Sequence, residues 1–169
     1  MEGGIWMKSK YGKLFKNLSD NTINCFEYGS VQEYYPFIQR IKQQGFNQCI
    51  ITSDVMISII EHFILRYNAE IISINFMVED SELQIEINNI LGLMRKSEAY
   101  WSVLKQRLLF LSENDCVEMK EVEFKICSGE LNTLLSVKVN GVIVVGEFEF
   151  YEVSNIISTI IEDYLDCKY

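Results

Sequence analysis

The sequence contains one proline and one histidine, and both scarcities exclude whole classes of protein. With nine glycines among 169 residues, it cannot be collagen-like, linker-like or low-complexity. The single histidine, His62, excludes sites that need two histidines, including most catalytic zinc sites, and we expect it to be structural. A phosphate-binding glycine loop, a dinucleotide fingerprint and a nucleophile elbow are also missing. We therefore predict a protein that is not an enzyme and uses no cofactor and no metal ion.

Long apolar runs and paired cysteines are missing as well. No run approaches the ~20 apolar residues that a membrane-spanning helix needs, and the first ten residues lack the apolar segment of a signal peptide. The five cysteines are odd in number and widely spaced, unlike a disulfide framework or a zinc ligand set. These features predict a soluble protein of the reducing cytoplasm without a membrane partner.

Positive charge is scarce, since the net charge is -9 and the isoelectric point is about 4.7. A phosphate backbone repels such a chain, so we expect no direct nucleic-acid binding. The charge is uneven, because residues 112–169 contain twelve acids and only four lysines, whereas residues 1–20 are slightly basic. We predict a basic leader over 1–20, with a loose helix near Leu14, and a single domain over 21–169.

Hydrophobic residues make up 49% of the chain, enough to form the core of one domain. Strand-like and helix-like segments alternate through the N-terminal half, including a helix with apolar residues at three- and four-residue spacing over 55–67. Residues 81–96 fit both a strand and a helix, and the length of the pattern favours a helix. The C-terminal half predicts a three-stranded antiparallel meander closed by a helix over 153–166. The predicted class is therefore a single α+β domain.

The dipeptide Asn140-Gly141 is a strong hairpin signal. A two-residue type I′ turn there would pair Val137 with Val144 across the hairpin. One buried face would then carry five apolar side chains: Val137, Val139, Val142, Val144 and Phe148. The opposite face of the same strand would carry Glu147 and Glu149.

Asp115 followed by Glu123-Phe124-Lys125 resembles the Asp…Glu-x-Lys pattern of metal-dependent restriction-like nucleases. In that family two carboxylates hold Mg²⁺ and the lysine stabilises charge at the phosphate. There the aspartate and the Glu-x-Lys lie on neighbouring strands, whereas here one strand would carry all of them. Alternating Glu and Lys on the wet face of an amphipathic strand explains the same residues more simply. A nuclease-like enzyme using these carboxylates is thus a second alternative function.

The acidic C-terminal third favours a protein that binds a basic protein partner and neutralises or occludes it. Immunity proteins against nuclease toxins and phage or mobile-element inhibitors of defence systems work in this way. The predicted partner-binding residues are Glu147, Glu149, Glu152, Glu162, Asp163 and Asp166. The first alternative is a small acidic secretion or folding chaperone, and the sequence leaves open whether the protein forms a homodimer.

Overall fold

Seven strands form one antiparallel sheet within residues 8–29 and 31–168, the part of the chain that this computed structural model describes. They are β1 (Ser9–Asn17), β2 (Ile23–Tyr28), β3 (Phe46–Gln48), β4 (Glu70–Phe76), β5 (Met119–Cys127), β6 (Asn132–Lys138) and β7 (Val142–Gly146). Their order is β2-β1-β7-β6-β5-β4, and β3 pairs with β1. The predicted meander β5-β6-β7 therefore exists, but it lies in the middle of a larger sheet.

Five α-helices and a short 3-10 helix over Val31–Glu33 complete the described fold. The α-helices are α1 (Tyr34–Gln43), α2 (Ser53–Tyr67), α3 (Ser81–Met94), α4 (Tyr100–Glu113) and α5 (Phe150–Lys168). The predicted α+β class is confirmed, and residues 81–94 are helical as favoured. The side chain of Asp80 accepts a hydrogen bond from the Leu83 amide at 3.0 Å and so caps the start of α3. In the described part of the chain, no helix is both long enough and apolar enough to cross a membrane.

The helices lie on both faces of the sheet, but unequally. Successive side chains of a strand point to opposite faces, and in β1 Leu14 joins the main core while Phe15 joins a smaller cluster. The main core contains buried residues of α2, α3, α4 and α5, whereas the smaller cluster contains those of α1. The second face of β5 and β6 is consequently more open, and Leu134 there is exposed.

The prediction of a loose helix near Leu14 in a basic leader is wrong. Residues 9–17 form β1, which is paired with β2 on one side and with β7 on the other. A strand that is buried on both faces has no polar–apolar alternation, and this is why the sequence pattern did not indicate it. A boundary at residue 20 therefore does not separate the described residues 8–20 from the domain.

The predicted turn at Asn140-Gly141 is present, but its type and register are wrong. Val137 pairs with Ile143 instead of Val144, so three residues connect β6 to β7. Gly141 has φ +81°, and Asn140 does not have a positive φ. The loop therefore fits a three-residue connection that ends in a left-handed glycine rather than a type I′ turn.

Val139 explains the shift, because its main chain bonds outside the hairpin. Its N–H donates to the Lys120 carbonyl at 2.9 Å, and its carbonyl accepts from the Ile51 N–H at 2.8 Å. Val139 therefore cannot pair with Val142 as predicted. A shift of one residue turns each side chain of β7 to the other face.

The faces of β7 accordingly differ from the prediction. Ile143 and Val145 are fully buried in the main core, whereas Val144 is half-buried on the second face. The strand ends at Gly146, so Glu147, Phe148 and Glu149 lie in a turn before α5 rather than on a strand. The predicted burial of Phe148 is wrong, since its side chain is 85% exposed.

Candidate partner-binding surface

The six acidic residues proposed from the sequence do not form one patch. Glu147 and Glu149 lie in the turn before α5 and Glu152 lies in its first turn, whereas Asp163 and Asp166 lie near its end. Eleven residues of helix separate Glu152 from Asp163, which corresponds to about 16 Å along the axis. The structure therefore brings three of the predicted residues together and places two others at a distance.

The sixth acidic residue, Glu162, has a structural contact. Its carboxylate accepts a hydrogen bond from the main-chain N–H of Ile23 at 2.8 Å, where β2 begins. Its side chain is half-buried. Glu162 thus satisfies an amide of an edge strand, which leaves it less available to a partner than the exposed acids.

The turn before α5 is held at three points of its main chain. The Glu147 N–H donates to the Lys8 carbonyl at 2.9 Å, and the Glu149 N–H donates to the Gly146 carbonyl at 3.2 Å. The Glu149 carbonyl in turn accepts from the Val153 N–H at 2.9 Å, which starts the helix. The turn is therefore fixed to the residue that precedes β1, to the end of β7 and to α5.

Phe150 anchors this turn to the core. Its side chain is buried and lies so close to Gly12 that a Cβ atom there would come within 2.8 Å of the ring. The aromatic residues on either side of it point outward instead, since Phe148 is 85% and Tyr151 is 73% exposed. An inward Phe150 thus sets the direction in which its two aromatic neighbours project.

We call these two exposed rings and the neighbouring carboxylates the acidic–aromatic end. It consists of Glu147, Phe148, Glu149, Tyr151 and Glu152. The side chains of Glu147 and Glu152 are exposed, whereas Glu149 is half-buried and its Oε2 has no hydrogen-bond partner among the described residues. Of the ion pairs found among the described residues, none uses an acid of this group. Glu152 lies in the first turn of α5, where the helix dipole favours a negative charge.

The nuclease-like residues are not assembled into a site. Val122 and Phe124 point into the main core, so Glu123 and Lys125 of the same strand point to the opposite, open face. Asp115 lies before β5, near Arg107 of α4, whose pKa is raised mainly by its hydrogen bond to Glu86 and in smaller part by Asp115. Arg107 belongs to the helical layer, and no group of three or more potential metal ligands occurs in the described residues.

His62 lies on α2 at the edge of the core, in contact with the rings of Phe63 and Tyr67 at about 6.0 Å between centroids. Burial lowers the pKa of its imidazole, and the nearby Arg66 lowers it further. The packing of this imidazole against aromatic rings agrees with a structural role.

Sequence reasoning missed Lys13, which is fully buried beneath α1. Its ammonium donates to the main-chain carbonyl of Asn140, and the rings of Phe15 and Tyr34 each lie 5.9 Å from Nζ. Burial lowers the pKa of Lys13 to about 8, while the nearby thiol of Cys49 acts in the opposite direction. No sequence signal distinguishes this residue, because a lysine between apolar strand residues is typical of a wet face.

Comparisons of the chain with protein families, with curated proteins and with solved structures find no match. The geometry of the chain's own residues therefore supplies the argument for function.

Proposed function

We propose that this chain is a non-enzymatic binding protein that occludes a basic protein partner with its acidic–aromatic end. The observation that carries the proposal is the pair of exposed rings, Phe148 and Tyr151, beside the exposed carboxylates of Glu147 and Glu152 at the start of α5. Phenylalanine and tyrosine are enriched in the cores of protein interfaces, and tyrosine is enriched among the residues that dominate binding energy. An anchored turn that projects two such rings is suited to a partner surface.

The chemistry of the group favours lysine and arginine side chains on the partner. A cation can lie over the face of an aromatic ring and at the same time bond to a neighbouring carboxylate. Glu147 and Glu152 are exposed, and neither forms an ion pair among the described residues. The net charge of -9 would also attract a basic partner from a distance and raise the association rate.

A reducing compartment is part of the same proposal. Each of the five cysteines is a free thiol, and Cys25 is mostly buried, which raises its pKa to about 12. Immunity proteins and inhibitors of defence systems act inside the cell on basic, nucleic-acid-binding enzymes. We therefore assign the protein to the cytoplasm and its partner to that class.

The experiment compares affinity capture from a lysate of the native host by three forms of the protein. The wild type should retain a stoichiometric basic protein, and the double variant Phe148→Ala/Tyr151→Ala should lose it. The matched control is Asp163→Lys/Asp166→Lys, which removes more negative charge but at the other end of α5. This control should retain the partner, because it leaves both aromatic anchors in place.

Two results contradict the proposal. In one, no protein is retained by the wild type at a level above that of the aromatic double variant. In the other, the partner is lost only from the α5-end variant, which would place the binding surface at Asp163 and Asp166.

A further inference from the structure

A small cavity lies where α2 and α3 end, beside the first residues of β4 and the loop that leads to α4. Its volume is about 340 Å³, near the lower end of the ~300 to 1,000 Å³ range of small-molecule sites. It is lined by Ile64, by residues 68–71 and by residues 91 and 94–98. The cavity is therefore large enough for one small molecule and too small for a protein segment.

The deeper part of the cavity, which we call its floor, is apolar. Ile64, Ile71 and Leu91 are buried there, and Met94 is half-buried. Ala69 is buried as well and contributes only a methyl group, which leaves the space beside it open. None of these five side chains carries a strong hydrogen-bonding group. The floor is therefore suited to an aliphatic or aromatic group of a ligand.

The rim of the cavity is charged, and two of its charges are unpaired. Arg95 donates from Nε to the Glu70 carboxylate at 2.9 Å, so these two residues neutralise each other. Lys96 and Glu98 are exposed, and neither side chain belongs to an ion pair among the described residues. The mouth of an apolar cavity thus presents one ammonium and one carboxylate, two residues apart in the same loop.

The ends of the two helices add to the negative side of this rim. The C-terminal end of an α-helix carries a partial negative charge, and the last residues of α2 and α3 lie beside the cavity. A positively charged group of a ligand is therefore favoured near Glu98 and the helix ends. A negatively charged group is favoured by the Lys96 ammonium and by the Nη groups of Arg95, which its bond to Glu70 leaves unused.

A ligand that uses all of these features carries an ammonium, a carboxylate and an apolar group close together. An α-amino acid with a large apolar side chain is the simplest molecule of this kind. We propose that the cavity binds a free amino acid of this class, such as leucine. The ligand's side chain lies against the floor, its carboxylate bonds to Lys96 and Arg95, and its ammonium bonds to Glu98.

Titration of the isotope-labelled protein with L-leucine tests the site and measures the dissociation constant. We expect the largest amide chemical-shift changes at residues 68–71 and 91–98, which contain most of the lining. L-phenylalanine should shift the same amides. Glycine has the same two charged groups but no side chain, so it should bind at least tenfold more weakly than L-leucine, because the contact with the floor is lost.

The double variant Lys96→Met/Glu98→Gln removes both unpaired charges of the rim and leaves the net charge unchanged. The dissociation constant for L-leucine should rise at least tenfold, whereas the melting temperature should stay nearly the same, because both side chains are exposed. The matched control is Lys42→Met/Glu130→Gln, which makes the same exchange at two exposed residues outside the cavity. This control should bind L-leucine like the wild type.

Amides of the cavity that do not shift with L-leucine or L-phenylalanine at tens of millimolar overturn the proposal. Equal affinities of the two double variants also overturn it, since the rim charges would then play no part. L-leucinamide lacks the carboxylate, and if it binds as tightly as L-leucine, the ligand is the first residue of a peptide rather than a free amino acid. The failure of this proposal leaves the proposed function intact, because the acidic–aromatic end is tested with different variants.

Discussion

The two ends of β7 are both short turns, yet one is enclosed by the protein and the other projects from it. At the first end, Gly141 is buried with φ +81°, and its carbonyl accepts from the Leu14 N–H at 2.9 Å. At the second end, Phe148 is 85% exposed. The fold itself determines which residues can occupy the enclosed turn, whereas the fold does not account for the exposed ring of Phe148.

The largest effect on the free energy of unfolding should come from a charged residue within β7, between these two turns. Val145→Asp would bury an unpaired carboxylate in the main core and should prevent folding, at a cost of more than about 4 kcal/mol. Val144→Asp alters the neighbouring, half-buried position on the second face and should leave a folded protein. Chemical denaturation of both variants measures the difference, and equal stabilities would contradict the register of β7.

The next largest effect on stability should be a difference between alanine substitutions at the two glycines, Gly141 and Gly146. At Gly141 a Cβ atom would collide with the main-chain carbonyl oxygen of Cys49, and the positive φ adds strain. At Gly146 a Cβ atom would meet the side-chain oxygens of Glu149 and Thr133 at 2.7 and 2.8 Å. The Glu149 side chain is flexible, whereas the buried Thr133 hydroxyl accepts a hydrogen bond from the Gly146 N–H at 2.9 Å and would have to shift slightly. Gly141→Ala should therefore cost about 3 kcal/mol or more, and Gly146→Ala about 1 to 2 kcal/mol.

Thermal denaturation of the two alanine variants tests this order. A Gly146→Ala protein that is less stable than the Gly141→Ala protein would show that the enclosed turn is more adaptable than its contacts indicate.

Lys13, which donates a hydrogen bond to the Asn140 carbonyl in the enclosed turn, should make the stability of the protein depend on pH. Its pKa of about 8 lies below the ordinary value near 10.4, so the unfolded chain binds more protons than the folded chain between these two values. The free energy of unfolding should therefore gain a contribution from Lys13 as the pH rises from 8 to about 10. Below pH 8 the buried ammonium of Lys13 lowers the free energy of unfolding, and an uncharged side chain at this position would remove that loss.

Lys13→Met keeps most of the buried stem and removes the charge. We expect this variant to be more stable than the wild type by about 1 to 2 kcal/mol at pH 7, with a smaller advantage at pH 10. Urea denaturation at both pH values measures the difference, and Lys125→Met, which alters an exposed strand lysine, should show no such dependence. A less stable Lys13→Met protein would mean that the bond to the Asn140 carbonyl outweighs the cost of burial.

The smallest effect on stability should come from the exposed end. Phe148→Ala/Tyr151→Ala removes two rings that are mostly in water, so the free energy of unfolding should change by less than about 0.5 kcal/mol. Glu147→Lys should change the free energy of unfolding equally little. Denaturation curves provide the measurement, and a loss above about 2 kcal/mol would give these aromatic residues a structural role instead.

Helices were predictable from this sequence because their patterns are local. In α5, Val153, Ile157 and Ile161 repeat at four-residue spacing within the predicted closing helix, and all three are buried. The position of the last hairpin was also predictable, from Asn140 and Gly141 alone. The register was not, because it depends on main-chain bonds between Val139 and two segments that are distant in sequence.

The candidate surface was predictable only in part for a similar reason. Glu147, Glu149 and Glu152 are close in sequence and stay together, whereas the length of α5 separates them from Asp163 and Asp166. The alternation of Glu and Phe over residues 147–150 was interpreted as a strand with a buried Phe148. In the structure the chain turns after Gly146, and this turn exposes the ring.

Binding at the acidic–aromatic end can be observed by titrating the isotope-labelled protein with a hexa-arginine peptide and following the amide chemical shifts. We expect the largest shifts on residues 147–152, with smaller shifts at 162–166. We also expect Phe148→Ala/Tyr151→Ala to weaken binding about tenfold, since two ring–cation contacts are lost. Shifts of equal size at every acidic segment, with an affinity unchanged by the aromatic substitutions, would contradict the role proposed for these two rings.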